Sequence, residues 1–218
     1  MKHAVICFTR VPKPGVTKTR LLPILKPEQC AKLHWCFLKD LAEIYKQMNV
    51  PLFVAYTPDP DWEQLKSVFP DAGFFVQKGA DLGERMYHAV CTVLELGYES
   101  VVLTGADLPM LKAEHLLSGF DALKTADIAI GPTSDGGYYL IGMKQPHKAV
   151  FHVERYGGSS VFENTVAAAE AAGLTIIATL SCDDVDTPED LKQLTAEVNP
   201  GSHTGSYLNV LKEEGIQL

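Results

Sequence analysis

The chain predicts an α/β domain with a mostly parallel central sheet of about seven strands and helices on both faces. Short β-branched runs alternate along it with longer stretches of helical period, the pattern of repeated strand–helix units. The strand runs are continuously apolar rather than alternating, as expected where both faces of a sheet are covered. With 218 residues, 46% of them hydrophobic, there is material for one good-sized core.

In order, the strand candidates are AVICFT (4–9), LFVAYT (52–57), FFVQ (74–77), SVVLTG (100–105), DIAIG (127–131), YYLIGM (138–143) and LTIIATL (174–180). The clearest helix covers 28–48, where Leu33, Phe37, Leu41, Ile44 and Met48 recur at three- and four-residue steps and make one apolar stripe. Residues 84–96 repeat the pattern with Met86, Val90, Val93 and Leu94. TPEDL at 187–191 marks a helix start, with Thr187 as N-cap, Pro188 in the first helical position and Asp190 three residues after the cap. A last helix is expected near 204–214, in a C-terminal extension (199–218) that opens on the turn-rich NPGSHTG. No internal repeat or low-complexity tract interrupts the chain, and 1–218 reads as a single domain carrying that extension.

Charge is unevenly distributed. Lys2, Arg10, Lys13, Lys18, Arg20 and Lys26 precede the first acid, Glu28, although the formal net charge is -8. An acidic chain argues against nucleic acid or an anionic membrane as partner, since both need a broad basic face; a local basic loop suits a small anion. No apolar run approaches the roughly 18 residues of a membrane span. AVICF is too short for a signal-peptide core, and prolines 12, 14, 23 and 27 would break a transit helix. A cytoplasmic location is expected. The five cysteines show no C-x-x-C spacing and read as reduced core thiols, with Cys30 and His34, four apart on a helix, read as packing.

In open α/β sheets, ligands sit beyond the carboxyl ends of the strands. Four segments fall there, with one further piece at 77–86. TRVPKPGVTKTRLLP (9–23) leaves strand one with Arg10 and Gly15 and returns with Lys18 and Arg20: glycine lets backbone N–H groups curl around an oxyanion, and Lys and Arg supply charge. It is neither a Walker loop nor a dinucleotide fingerprint, and the residues alone leave a phosphate cradle and a solvated basic turn equally open. TGADLPM (104–110) puts Asp107 just after strand four, where a carboxylate suits Mg²⁺ or Mn²⁺, or caps the next helix. GPTSDGGYYLIG (131–142) is a hairpin-type turn in which Gly136 and Gly137 could let a substrate near the backbone and Tyr138 could offer a ring or hydroxyl. SCDDVDTPED (181–190) crowds Asp183, Asp184 and Asp186 ahead of a helix, a repulsion that a cation shared by Asp186 and Asp107 would relieve. In QKGADLGERM (77–86), Gly83 opens a helix N-terminus, Gln77 can read a base edge and Arg85 can meet phosphate. No G-x-S-x-G elbow or H-E-x-x-H occurs, so hydrolysis by a Ser or Cys nucleophile is not expected.

Together, FTRVPKPGVTKTRL, QKGADLGERM, TGADLPML, GPTSDGGYYLIGM and DVDTPEDL resemble a bacterial family of glycosyltransferase-A-like transferases in the nucleotide-diphospho-sugar transferase superfamily, with relatives among 2-phospholactate guanylyltransferases and molybdenum-cofactor nucleotidyltransferases. The likeness runs in order from about residue 3 to 195. It implies a Rossmann-like glycosyltransferase-A fold and a nucleotide-activated donor. By it, Arg10, Lys18 and Arg20 hold nucleotide phosphates, Gln77 and Gly83 lie near the base, and Asp107 binds a divalent metal with Asp186, for which Asp184 is an equal candidate. ERYGGSSV (154–161), where the family has a Trp-Gly or Trp-Ser step, departs from the pattern at a segment expected to touch the acceptor.

The resulting expectation is a metal-dependent transferase, with Asp107 and Lys18 in the catalytic machinery and Asp135 as base for an acceptor hydroxyl. Glycosyl transfer from a nucleoside-diphosphate sugar to a small-molecule acceptor is the leading form. Nucleotidyl transfer from a triphosphate to a phosphorylated small molecule follows. A non-catalytic nucleotide-binding module is the third reading.

Overall fold

The computed structural model describes residues 2–152, 156 and 158–218. Seven strands form one sheet: β1 (His3–Thr9), β2 (Leu52–Tyr56), β3 (Gly73–Val76), β4 (Ser100–Thr104), β5 (Ile128–Pro132), β6 (Tyr138–Met143) and β7 (Ile176–Ala178). Their spatial order is β3-β2-β1-β4-β6-β5-β7. Strand β6 runs antiparallel to both of its neighbours, and the other pairings are parallel. The mostly parallel α/β architecture expected from the sequence is therefore present. At the edge, β7 is shorter than the apolar run 174–180 suggests, because it pairs only with β5 through Ile176, Ile177 and Ala178.

Strand β1 shows why the runs are continuous. Val5 and Cys7 enter a core shared with Leu38, Leu41, Leu116 and Phe120, whereas Ala4 and Ile6 face Met86, Val90 and Val93 on the opposite side. The first set belongs to helices α1 (Pro27–Met48) and α3 (Ala113–Ala122), the second to α2 (Leu82–Glu95). Each fully buried Leu, Ile or Phe side chain contributes about 1.5–3 kcal/mol relative to exposure.

Helix α1 begins at Pro27, where a missing N–H costs nothing, and the Gln29 side chain accepts from the Lys26 N–H at 2.8 Å. It has a second apolar face: Leu33 and Phe37 pack with Leu191, Leu194, Leu208 and Leu211. Those residues lie on α5 (Pro188–Glu197) and α6 (His203–Glu213). Asp40 of α1 caps α6, its two oxygens accepting from the N–H groups of His203 (2.8 Å) and Thr204 (2.9 Å). The extension after 199 is thus fastened to the longest helix. The start of α5 is as expected: Thr187 Oγ1 accepts from Asp190 N–H, and Asp190 Oδ2 accepts from the N–H groups of Thr187 and Asp186. One helix, α4 (Val161–Ala171), escaped the sequence reading because its Ala-rich stretch carries no strong apolar stripe.

Strand order reverses between β1 and β4, so the loops leaving these two strands splay apart and open a crevice at their carboxyl ends. That is where the basic opening loop and Asp107 emerge.

Candidate active site

The loop after β1 turns at Gly15 (φ 72°), and Val16 and Thr17 donate back to the Lys13 carbonyl at 3.1 and 3.3 Å. Lys13 itself is held by Asp59 (2.7 Å) and Asp61 (2.6 Å), which pins the loop to the segment beyond β2. Lys18 then adopts a left-handed conformation (φ 53°, ψ 38°) ahead of the short 3-10 turn Thr19–Leu21, a geometry that costs a non-glycine residue about 1–2 kcal/mol. Its consequence is that a lysine side chain points inward. Lys18 Nζ lies 2.6 Å from Asp107 Oδ1, 3.0 Å from Asp186 Oδ1 and 2.7 Å from the Val185 carbonyl. Val185 N–H donates to the Asp107 carbonyl at 2.9 Å, so the two acidic segments are tied together as well.

Around this ammonium lies a cavity of about 240 Å³ lined by Arg10, Lys18, Arg20, His34, Asp107 and Asp186. Arg20 reaches Asp186 Oδ2 at 3.4 Å from a largely exposed position. His34 of α1 points its Nε2 at Asp107 Oδ1, 3.7 Å away. Burial pushes the Asp107 carboxyl up, but Lys18, His34 and Arg10 outweigh it and hold the group below its usual range. Burial, with Lys18 and Arg10 beside it, drives His34 down to about 4. Asp184 faces the other way. Its own burial and the nearby Asp186 and Asp135 raise it to about 6.

A second cavity, about 250 Å³, adjoins across Asp107, with Phe8, Met86, Leu103, Tyr138 and Tyr156 as its apolar walls. Asp135 and Asp184 supply its carboxylates.

The structure brings Lys18, Asp107 and Asp186 into direct contact, with Arg10 and Arg20 around them, while Asp184 lines the second cavity. Other expected site residues are used differently. Gln77, expected at a base edge, is buried, and its Nε2 donates to the carbonyls of Thr9 (3.0 Å) and Ala55 (2.9 Å), leaving only Oε1 for a ligand. Arg85 Nε donates to the Gly79 carbonyl at 3.1 Å and braces the loop ahead of α2. The N-cap of α2 is Asp81, accepting from Glu84 N–H at 2.8 Å, and not Gly83. Gly83 is required by packing, since a Cβ there would stand 2.1 Å from the Phe151 carbonyl oxygen.

Gly136 is likewise required by packing on one side: a Cβ would meet the Ser159 carbonyl oxygen at 2.0 Å, and φ is 87°. Gly137 lines the second cavity, and a Cβ there would come within 3.0 Å of Thr133 Oγ1 and 3.1 Å of Asp135 Oδ1. Asp135 Oδ1 shapes the turn, accepting from Thr133 Oγ1 and from Gly137 N–H. Tyr138 does line the second cavity, with its hydroxyl buried beside that of Tyr156. Of the departing segment 154–161, residues 154, 155 and 157 lie outside the described residues. The sequence reading took His34 as packing, not as part of the site. The available signal was its place one turn from Phe37 on the helix face that meets the basic loop.

Among the described residues no helix is long and apolar enough to cross a membrane. The five cysteines are free, and Cys7, Cys30, Cys36 and Cys182 are buried, as expected of core thiols.

A family described as an uncharacterized protein conserved in bacteria (DUF2064) matches residues 40–158. The chain belongs to this family. This DUF2064 protein is 30% identical over 195 residues to 2-phospho-L-lactate guanylyltransferase of Methanoregula boonei, covering 88% of this chain and 81% of that one. It is 25% identical over 203 residues to phosphoenolpyruvate guanylyltransferase of Sphaerobacter thermophilus, covering 90% and 95%. The crystal structure of a nucleotide-diphospho-sugar transferase from Desulfovibrio desulfuricans G20 superposes with a TM-score of 0.89 at 32% identity, over 97% of this chain and 96% of that one. The superfamily expected from the motifs is therefore the right one, and the DUF2064 chain is a transferase.

Proposed function

We propose that the protein is a nucleotidyltransferase joining a nucleoside triphosphate to a phosphorylated small molecule, with release of pyrophosphate. The observation that carries this is one ammonium held by two carboxylates beside a basic loop: Lys18 Nζ lies within 3.0 Å of both Asp107 and Asp186. The guanylyltransferase names of the relatives support the same reading and reverse the order in which the sequence ranked glycosyl and nucleotidyl transfer.

Among the described residues no three His, Cys, Asp or Glu side chains gather into a metal site. Two oxygen donors already sharing one positive charge nevertheless fit a hard cation, since Mg²⁺ commonly takes one or two carboxylates and completes its shell with substrate phosphates and water. Asp107 and Asp186 would hold it. When bound, the ion would supply neutralisation of the charge on the triphosphate oxygens.

The chemistry is a displacement at phosphorus. An oxygen of the acceptor phosphate attacks the α-phosphorus, the bond to the bridging α–β oxygen breaks, and pyrophosphate leaves with the electron pair. Arg10, Arg20 and Lys18 stand where that growing charge can be met by cationic donors. The acceptor phosphate is largely ionised at neutral pH, so its attack needs no general base. Asp135, expected as a base for a hydroxyl, has no such task here and keeps its turn-forming one.

The test is product analysis with each nucleoside triphosphate, labelled at the α-phosphate, plus Mg²⁺ and either 2-phospholactate or phosphoenolpyruvate. Pyrophosphate release with label transfer to the acceptor is expected. Release of nucleoside diphosphate from a nucleotide sugar, with no pyrophosphate from any triphosphate, would overturn it in favour of glycosyl transfer, the reading that the nucleotide-diphospho-sugar transferase likeness supports.

A further inference from the structure

His34 is 4% exposed, and neither ring nitrogen has a hydrogen-bond partner although both atoms are buried. Leaving a buried polar atom unsatisfied costs about 1–3 kcal/mol, and a native protein that bears this cost calls for an explanation. The stripe on this side of α1 is otherwise Cys30, Leu33, Phe37 and Leu41, all buried. A Leu at 34 would continue it without the penalty. The imidazole is instead aimed at the one carboxylate that bridges both cavities, with Nε2 3.7 Å from Asp107 Oδ1.

That oxygen is buried and now faces Lys18 Nζ at 2.6 Å. Lys18 is also the residue best placed to follow a phosphate group, because its Nζ already lies in the basic cavity, 5.4 Å above the Phe37 ring. Once it turns to a triphosphate, Asp107 Oδ1 loses its partner. The nearest buried donor is then His34, on a rigid helix held by Leu33 and Phe37 against α5 and α6.

We infer that His34 is a positioning residue for Asp107, its Nε2–H taking over Oδ1 when Lys18 moves to the donor phosphates and so keeping the carboxylate turned toward the shared cation. This rests on the nucleotidyltransferase reading. Partners of this kind typically alter metal affinity about 10–100-fold when removed.

The experiment compares wild type with His34→Leu and His34→Gln in three measurements on the full chain: Mn²⁺ binding in the presence of GTP by electron paramagnetic resonance, GTP binding in EDTA, and thermal unfolding in EDTA. Expected for His34→Leu are Mn²⁺ affinity weakened about tenfold, GTP binding in EDTA within twofold of wild type, and a Tm equal to or above wild type. His34→Gln, whose amide N–H can reach the same oxygen, should recover most of the Mn²⁺ affinity. Wild-type Mn²⁺ affinity in His34→Leu overturns the inference while the functional reading stands. A wild-type protein that binds no Mn²⁺ with any nucleoside triphosphate overturns both. Should His34→Leu not fold, His34→Asn, which retracts the donor, carries the test: weakened Mn²⁺ binding supports the role and unchanged binding overturns it.

Discussion

Replacing Lys18 by Met keeps the aliphatic stem and deletes the charge that Asp107 and Asp186 hold. Breaking a fully buried ion pair by removing one partner costs about 3–5 kcal/mol. Here the Lys18 side chain is 2% exposed but the two carboxylates are 39% and 35% exposed, so water screens what remains and the cost falls to about 1–3 kcal/mol. At about 2–4 °C per kcal/mol for a chain of this size, Tm should drop by roughly 2–12 °C in EDTA. The metal response should run the other way. A unit positive charge about 4 Å from an incoming divalent cation opposes it by about 8 kcal/mol at an effective dielectric of 20, so even a fraction of that makes Mn²⁺ bind Lys18→Met at least about tenfold more tightly than wild type in the absence of nucleotide. With triphosphate present the order should invert, because a phosphate donor is gone, and turnover should collapse. Calorimetric titration with Mn²⁺, with and without GTP, reads all of this beside a melting curve. A variant that melts within 1 °C of wild type (on the order of the smallest resolvable shift) and binds Mn²⁺ with wild-type affinity would show that this lysine does not hold the two carboxylates, and the site as described would fall.

Three other substitutions test separate links. Gly136→Ala puts a Cβ 2.0 Å from the Ser159 carbonyl oxygen at a φ of 87° and should cost about 2–4 kcal/mol by urea unfolding; a change under about 0.5 kcal/mol would mean that the 133–137 turn does not pack on residue 159. Gly83→Ala should also destabilise, although alanine is favoured over glycine inside a helix by about 1 kcal/mol, because the Phe151 carbonyl stands 2.1 Å from the new Cβ; a raised Tm would refute that contact. For Asp184 the folded carboxyl sits near 6, above its ordinary 3.8, so the folded state binds the proton more tightly. Its contribution to stability is full below about pH 4 and is lost as pH rises through 6. Asp184→Asn should therefore flatten the loss of Tm between pH 4 and 7 in EDTA, and an unchanged profile would rule out the half-buried position beside Asp186 and Asp135.

The strands were readable because their residues are covered on both faces by helices whose own stripes are in the sequence. Asp135-Gly136-Gly137, a turn dipeptide extended by one glycine, even pointed to the β5–β6 hairpin. The order β3-β2-β1-β4-β6-β5-β7 was not readable, since it depends on which helix crosses which face. Within the site, charge asymmetry made Lys18, Asp107 and Asp186 visible at long range. The glycines carry a second meaning that the sequence does not separate: a glycine tells that something stands close to its α-carbon, and at 83 and 136 the backbone of 151 and 159 does so. Gln77 is ambiguous in the same way, because a polar side chain at a strand end serves a ligand, the strand's own carbonyls, or both. His34 stayed hidden because a histidine on an apolar helix stripe looks like packing.

Where the fold departs from local preference also bears on function. Among the described residues, two that are not glycine have positive φ, Asn49 and Lys18. Asn49 ends α1 as a left-handed cap, a routine place for asparagine. Lys18 ends no helix, and a glycine could take its backbone conformation without strain; the lysine is there because the conformation delivers its ammonium to Asp107 and Asp186. One side-chain length away, His34 leaves two ring nitrogens unsatisfied beside the same carboxylate. Strain and unpaired polar groups persist only where the surroundings over-determine them, and they gather where a protein does chemistry. The two departures meet at Asp107, which is why the proposed shared cation is assigned to this carboxylate rather than to the turn at 135–137.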